Sequence, residues 1–288
     1  MTRRQVDRHG GAGAASAQGR WWRHLVAWLA VGWSLAPIAA LVVAAFTRTP
    51  GAGPCPECGV DNLTGLFTDP GRPYPTWYLN SLVTAAIAAG LVTAIGAGAA
   101  YGVSRFRRVS KRLAGDGLLL LLAFPASLAV IGFYLTVGEA GLAFPQLGRN
   151  SWLGLALCYV GATLAWVTWL LWSELAAVPT EIADAATLDG AGHARIFAMT
   201  VQQFRGTVWA VCAVVFGGVY GEFLLASVLL TESGHQNLAV GLAELARGPA
   251  QLQGRFAVGA LLAALPGILA ALGYRRRLGG AMLLRPLP

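Results

Sequence analysis

The sequence predicts an all-α membrane protein with six transmembrane helices, and its composition is the first reason. Hydrophobic residues make up 56% of the 288 residues and charged residues 12%, against about 45–50% and about 25% in soluble domains. Six apolar segments approach or exceed the roughly 18–20 residues that cross a bilayer, namely 25–46, 79–103, 117–137, 152–173, 207–230 and 256–274. Backbone polar groups in lipid must be satisfied within each segment, so each is expected to be a helix.

The basic residues indicate how these spans are oriented. With a cytoplasmic N-terminus and six spans, roughly three quarters of the 21 lysine and arginine residues fall in cytoplasmic parts, which is the positive-inside bias. The net charge of +8 therefore reflects membrane topology. Nucleic-acid-binding surfaces interleave basic and aromatic residues, and this chain does not. We expect both termini to be cytoplasmic, membrane lipid around the spans and no nucleic acid among the partners.

The chain is expected to begin with a disordered cytoplasmic tail. Residues 1–24 are rich in Gly, Ala and Arg and have no apolar period, as in segments that cannot form a core. The apolar run that follows has about 22 residues, which is too long for the core of a signal peptide. We therefore expect a retained first transmembrane helix with Pro37 as a kink site.

Cys55 and Cys58 lie in the longest outer loop, residues 47–78, in the segment Pro-Cys-Pro-Glu-Cys. A Cys-x-x-Cys pair can be a redox pair or half of a zinc site. No second cysteine pair or nearby histidine completes a zinc site, so no bound metal is expected. An oxidising exterior favours a disulfide between the two, with free thiols as the alternative. The loop ends at Trp77 and Tyr78, aromatic residues typical of a membrane interface.

The later spans carry small residues, prolines and one charge. The second span opens at Asn80 and is dense in Ala and Gly, which permits close helix packing within the chain or with a partner. Alternatively, these residues are simply common in this chain, which has 37 glycines. Phe124-Pro125 and Pro266 predict kinks in the third and sixth spans. A carboxylate inside a span is costly and suggests function, so Tyr220, Glu222 and Asn80 are candidate residues of a substrate pathway. Alternatively, Glu222 lies near the outer end of its span or bonds a neighbouring helix.

The most informative stretch is residues 181–197, between the fourth and fifth spans. It holds three acids in a chain with few charges: Glu181, Asp184 and Asp189. Gly190 stands where a short helix would end in the left-handed conformation, and a second short helix is expected from Ala191. A short exposed helix with small and apolar residues is suited to enter a partner's groove. The alternative is an ordinary amphipathic loop.

This stretch resembles a known family. Asp184-Ala185-Ala186, followed after three residues by Gly190, resembles the EAA loop of ABC importer permeases, with Asp in place of Glu. Asp189-Gly190-Ala191 and Phe197 resemble the form found in sugar permeases. The inner turn Tyr101-Gly102-Val103-Ser104-Arg105 is also similar to theirs. The chain departs from the family at Thr200-Val201-Gln202-Gln203, where Ile-x-Leu-Pro is usual.

The resemblance implies a type I ABC importer permease with a MetI-like core over residues 25–280 and a coupling loop at about 179–200. It assigns contact with an ATPase to Glu181, Asp184, Ala185, Ala186, Asp189, Gly190, Ala191 and Phe197. It implies a second permease, two ATPase copies and an extracytoplasmic solute-binding lipoprotein as partners, in a bacterial plasma membrane. The ATPase would use ATP and Mg, this chain would bind no cofactor, and the solute would be a sugar or oligosaccharide.

Other functions find less support in the residues. The chain has no G-x-x-x-x-G-K-[ST] phosphate loop, and its single lysine is Lys111, so it is not the ATPase. An intramembrane enzyme needs a second catalytic group within the spans. None stands out, and we assign no catalytic residue. The remaining alternative is a secondary transporter or channel with Glu222 as an ion or proton site, which predicts inverted repeats or broken helices with several polar midplane residues.

The charge distribution predicts a topology that reporter fusions can test. Fusions after residues 60 and 240 are expected to report an outer location, and fusions after residues 110 and 190 a cytoplasmic one, because basic loops stay on the cytoplasmic side. A reversed signal at any of the four positions would contradict the six-span arrangement.

Overall fold

The computed structural model describes residues 21–47, 56–105, 108–175, 181–270 and 272, and the regular elements there are all helical. The helices are α1 (Trp21–Ala45), α2 (Pro56–Thr68), α3 (Tyr74–Arg105), α4 (Arg108–Leu122), α5 (Ala126–Ala143), α6 (Trp152–Leu175), α7 (Glu181–Leu188), α8 (His193–Gln203), α9 (Arg205–Tyr220), α10 (Leu224–Leu229), α11 (Leu238–Arg247) and α12 (Gln253–Ala263). The predicted all-α class is confirmed. Most of the predicted tail, residues 1–24, lies outside the described residues.

Six apolar segments occupy the predicted places, but they are not six continuous helices. Four segments of the described chain are long and apolar enough to span a membrane: Trp21–Ala45, Tyr74–Arg105, Trp152–Leu175 and Ala250–Ala270. A fifth span results if the bent pair Lys111–Leu122 and Ser127–Ala143 is counted as one. The fifth predicted span, 207–230, instead contains the shorter helix α9 followed by α10. Two of the predicted spans are therefore broken.

Proline accounts for the break in the third predicted span. The third predicted span bends by 93° where α4 ends and Pro125 takes an extended ψ of 124° ahead of α5. Proline lacks an N–H for the helix ladder and disfavours a helical conformation in the residue before it, which confirms the kink predicted at Phe124-Pro125. The last segment remains one span, with a single turn residue at Ala264, two residues before Pro266. In contrast, α1 runs through Pro37 as one helix.

The core forms around α3, whose most extensive contact is with α6. The face of α3 that meets α6 consists of small residues, and a Cβ at Gly96 would lie 2.7 Å from a methyl group of Val167. A side chain of any size there would push the two helices apart. On another side of α3, α9 buries Val211, Val215 and Val219 at helical spacing. The small residues of the second span therefore serve packing within the chain.

A second cluster covers the N-terminal end of α3. It joins α3 to α2, α11 and the turn before α12 through six buried side chains: Leu66, Tyr74, Trp77, Leu238, Leu245 and Leu252. The Tyr74 hydroxyl donates a hydrogen bond to the Gly259 carbonyl (2.9 Å). Arg255 of α12 forms a salt bridge with Asp69 at 3.0 Å. These contacts fix α12, which in turn packs against the otherwise peripheral α1.

Two expectations for this region need correction. The second span was expected from residue 79, but α3 begins at Tyr74. Trp77 was expected at a membrane interface, yet its side chain is completely buried and its indole N–H donates to the Ser233 carbonyl (2.7 Å). A large ring that finds a hydrogen-bond partner inside the protein gains more from burial than from an interface, and only the folded chain supplies that partner.

The loop expected over residues 47–78 contains the helix α2. Cys58, on α2, is buried and disulfide-bonded. Its predicted partner Cys55 lies outside the described residues. The Cys55–Cys58 pair therefore remains a prediction.

The contact between Trp77 and Gly241 generates a stability prediction. A Cβ at Gly241 would overlap the indole ring of Trp77, so Gly241→Val is expected to lower the free energy of unfolding by about 1–3 kcal/mol or more, as overpacked cores do. Thermal unfolding of the purified protein in detergent measures this change. Gly234→Ala is the control, since nothing lies within 4 Å of a Cβ at that exposed position. Equal stability of the two variants would contradict the packing.

Candidate functional site

Helices α7 and α8 form a short helical hairpin over residues 181–203, called the hairpin below. α7 ends in the predicted left-handed glycine, because Gly190 has a φ of +77°. Its N–H donates to the Thr187 carbonyl (3.0 Å), and the Ala191 N–H donates to the Ala186 carbonyl (2.9 Å). These two bonds satisfy carbonyls at the helix end in a Schellman arrangement. The turn between the two helices is thus fixed by backbone hydrogen bonds that only glycine accommodates without strain.

Small side chains hold the two helices of the hairpin together. Ala183 and Ala186 of α7 pack against Ile196 of α8, and all three are buried. This corrects one expectation, because Ala186 was placed among the residues that contact an ATPase. With 7% of its side chain exposed, Ala186 supports the hairpin from inside and is not part of its outer face.

The outer face of α7 is acidic and also presents a large apolar side chain. Five of the predicted contact residues are exposed: Glu181, Asp184, Ala185, Asp189 and Gly190. Leu188 lies among them and is 90% exposed. Ala191 and Phe197, which were also predicted to contact an ATPase, are half-buried and pack against the rest of the protein, so they do not belong to this outer face. The exposed leucine is the residue that the sequence-based site lacked, although a leucine at the end of an acidic helix was a signal for it.

Residues 200–203 at the end of the hairpin differ from the Ile-x-Leu-Pro that is usual in the family this stretch resembles. Residues 200–203 continue α8, and the Thr200 hydroxyl donates to the Ile196 carbonyl (2.8 Å). The chain turns at Phe204, which has φ −115° and ψ 24° and separates α8 from α9. Phe204 is buried in the core. The buried aromatic side chain of Phe204 therefore anchors the turn, one residue after Gln203, which occupies the place of the usual proline.

Glu222 occupies the break between α9 and α10, and its carboxylate is fully engaged. One oxygen accepts a hydrogen bond from the Leu225 N–H (3.0 Å). The other accepts from the Ala226 N–H (3.3 Å) and from the Tyr159 hydroxyl of α6 (2.8 Å). No lysine or arginine in the described ranges forms a salt bridge with it. The carboxylate caps α10 and ties it to α6, which is the structural alternative stated above.

A polar network extends from this break to the N-terminal part of α3. The Asn237 amide donates to the Glu222 carbonyl (3.1 Å), and the Asn237 side-chain oxygen caps α11 at the Val240 N–H (2.9 Å). The Leu238 N–H donates to the Ser81 hydroxyl of α3 (2.8 Å). Tyr159 and Asn237 were missed from the sequence. Nothing in a single span indicates which distant side chain will meet its carboxylate.

The other two candidate pathway residues lie elsewhere. Asn80 donates to the Gln236 carbonyl (3.0 Å) and so holds α3 to the segment before α11. Tyr220 stacks on Phe216 with a ring-centroid distance of 5.9 Å and contacts Tyr78 edge-on. The structure therefore does not bring Asn80, Tyr220 and Glu222 together around one space.

Glu222 borders a cavity of about 1060 Å³. Its walls come from α3, α4, α5, α6, α9 and α10. They also include Phe124 and Leu224, which lie at the breaks within the two broken spans. Irregular backbone at membrane depth is tolerated where it lines a cavity or is buried in protein. The walls are mainly apolar, with Glu222, Tyr159 and Thr163 among the few polar contributors. Broken spans are thus present, as the secondary-transporter alternative requires, but a set of several titratable groups in this cavity is not.

Comparisons with known proteins agree with one another. No family model matches the chain. A maltose/maltodextrin transport system permease protein, MalG, from Vibrio vulnificus is 32% identical over 224 residues, 77% of this chain and 75% of that protein. The maltodextrin permease proteins MalD of Streptococcus pneumoniae and MdxG of Bacillus subtilis are 34% and 35% identical, each over more than 70% of both chains.

A solved structure shows the same fold. It is a chain of a bacterial ABC transporter involved in the import of the acidic polysaccharide alginate. The match has a TM-score of 0.73 and covers 94% of this chain and 99% of that one, at 15% sequence identity.

The engaged carboxylate predicts how variants of Glu222 behave. Glu222→Ala removes the cap of α10 and is expected to cost about 1–2 kcal/mol of stability, as lost caps do, with a matching loss of uptake. Glu222→Gln keeps an acceptor and should retain most of both, and Tyr159→Phe should resemble it. Thermal unfolding and solute uptake measure the two effects.

Glu139→Ala is the matched control, because Glu139 is an exposed carboxylate on α5. A Glu222→Gln protein that folds normally but transports nothing would instead favour a direct role of the charge in transport.

Proposed function

Because this chain belongs to the family of permease subunits of sugar-type ABC importers, we propose that it transports a maltodextrin or a related oligosaccharide and is driven through the hairpin. As a member of that family it is a membrane-spanning transport subunit and not an enzyme. Its partners are a second permease, ATPase subunits and a solute-binding protein. ATP and Mg belong to the ATPase subunits of such systems. The identity of the solute, the residues that contact the ATPase and the residues that line the solute pathway are proposals.

The substrate class rests on the relatives. Several relatives from different bacteria carry names that refer to maltose or maltodextrin. The alginate system shares the fold at 15% identity, so its solute does not carry over to this chain. We therefore propose a neutral glucose oligomer. The cavity beside Glu222 is this chain's proposed share of the pathway, since the aromatic rings of Phe133 and Trp166 in its walls suit the apolar faces of sugar rings.

The proposed contact with the ATPase rests on the outer face of the hairpin. Leu188 is 90% exposed on a surface that the Schellman turn and the Ala183–Ile196 packing hold in one shape. An exposed apolar residue surrounded by polar ones is typical of an interface anchor. The acids Asp184 and Asp189 flank it and favour basic groups on the partner. This single exposed leucine carries the proposal.

The location of the hairpin also suits the role. Tyr101, near the C-terminal end of α3, contacts the hairpin, whereas Asn80 and Ser81 join the polar network near the other end. At 1.5 Å per residue these points are about 30 Å apart along α3, which is the thickness of the hydrocarbon core of a bilayer. We propose that the hairpin is cytoplasmic and that the polar network and the second cluster, around Trp77, lie toward the outer surface of a plasma membrane.

Leu188 provides the test of this function. With the partner subunits co-expressed, Leu188→Glu is expected to weaken co-purification of the ATPase at least about tenfold, as loss of an interface anchor does, and to abolish maltodextrin-stimulated ATP hydrolysis. Leu188→Met keeps an apolar side chain and should behave like the wild type. Gly190→Val should also impair coupling, because a branched residue is strained at a φ of +77°.

The control for Leu188→Glu is Leu142→Glu, at a leucine of α5 that is 82% exposed. It should leave ATPase association intact. Normal ATPase association of Leu188→Glu would contradict the proposed contact. If the wild-type transporter does not take up labelled maltodextrin, the proposed solute is wrong.

A further inference from the structure

Tyr101 is the side chain through which the hairpin meets the membrane core. Within the described residues it packs against two hydrophobic clusters, the main core around α3 and α6 and the small cluster inside the hairpin. No other side chain of the described chain contacts both clusters in this way. Ala183, Ala186 and Ile196 form the hairpin cluster, so Tyr101 reaches the residues that hold α7 to α8.

The ring of Tyr101 is held from two sides. Phe197 of α8 contacts it edge-on, with ring centroids 5.3 Å apart and planes at 67°. The guanidinium of Arg105, one turn further along α3, lies over the ring at 5.0 Å. Edge-to-face aromatic pairs and cation–π contacts each contribute stabilisation beyond simple burial. The ring therefore has one defined position between α3 and α8.

The hydroxyl of Tyr101 adds nothing to this contact. It is buried and has no hydrogen-bond partner among the described residues. Burying an unpaired hydroxyl is unfavourable, so the position is explained by the ring and not by its polar group. The contact of Tyr101 with the hairpin is therefore made by packing of its ring and not by a hydrogen bond of its hydroxyl.

α3 is suited to carry a displacement onward from this contact. It is a single helix from Tyr74 to Arg105. Its one proline, Pro75, lies in the first turn, and the helix continues without a break from residue 76 to its end. It packs tightly on α6 at Gly96 and on α9, and it reaches the polar network at Ser81. A push on Tyr101 therefore moves the helix at the centre of the core.

We propose that Tyr101 and Phe197 form the joint that transmits movement of the hairpin to α3. Both are positioning residues, since neither touches solute or nucleotide. The sequence motif at Tyr101-Gly102-Val103-Ser104-Arg105 and the hairpin motif ending at Phe197 meet in this contact. The proposal rests on the proposed docking of the hairpin on an ATPase, and it adds the route from that surface into the membrane.

The test separates transmission from docking. In the assembled transporter, Tyr101→Leu and Phe197→Leu are each expected to leave ATPase co-purification and basal ATP hydrolysis intact. The number of solute molecules taken up per ATP should fall by roughly fivefold or more, the lower end of typical coupling between sites. The double variant should be no worse than either single variant, because one contact is lost in all three.

Tyr101→Phe keeps the ring and removes the unpaired hydroxyl, so it should couple like the wild type. Tyr134→Leu is the matched control. Tyr134 also lies under an arginine, Arg149, at 5.0 Å, but on α5 away from the hairpin. It should leave uptake per ATP unchanged.

Three outcomes would overturn the joint. The first is normal uptake per ATP in both leucine variants, and the second is additive losses in the double variant. The third is a Tyr101→Phe transporter whose uptake per ATP falls as in Tyr101→Leu. Loss of ATPase association in the Leu188→Glu transporter would still be expected in each of these cases. If the leucine variants fail to assemble, Phe197→Met and Tyr101→Met repeat the test with a smaller loss of volume. A wild-type complex that does not bind an ATPase at all would contradict the proposed function itself.

Discussion

The close approach of α3 and α6 is the contact on which the rest of the structure depends. Gly96 lets the backbone of α3 lie against Val167, with alanines along the same face buried beside it. In lipid, helices gain little from hydrophobic exclusion, so tight van der Waals packing between small residues supplies much of their association. With α6 seated on one side and α9 on another, α3 becomes the central helix to which both the hairpin and the polar network are attached.

The hairpin and the polar network contact this central helix in different ways. The hairpin contacts α3 through aromatic rings and is itself stabilised by alanines and a glycine turn, so its outward face is free for acids and Leu188. The network near Ser81 is built from hydrogen bonds between backbone and short polar side chains. The aromatic contact at one end of α3 is the proposed joint, and the hydrogen-bonded network joins the other end of α3 to α11.

Glu222 shows how a carboxylate inside a span can be explained by structure. Its two oxygens accept three hydrogen bonds, two of them from backbone N–H groups that the break between α9 and α10 would otherwise leave unsatisfied. Unpaired groups of this kind are expensive in a membrane. The break also borders the cavity of about 1060 Å³. Glu222 therefore both accepts hydrogen bonds from the free backbone N–H groups and lines the cavity.

The sequence by itself determined the helical class, the six apolar segments, the kink at Pro125 and the left-handed turn at Gly190. Each of these follows from composition or from local backbone chemistry, which acts over a few residues. Only the tertiary structure decided that Trp77 is buried, that Ala186 faces inward while Leu188 faces outward, and that Glu222 meets Tyr159. Such facts depend on residues far apart in the chain, and no local period encodes which distant side chain will arrive beside another.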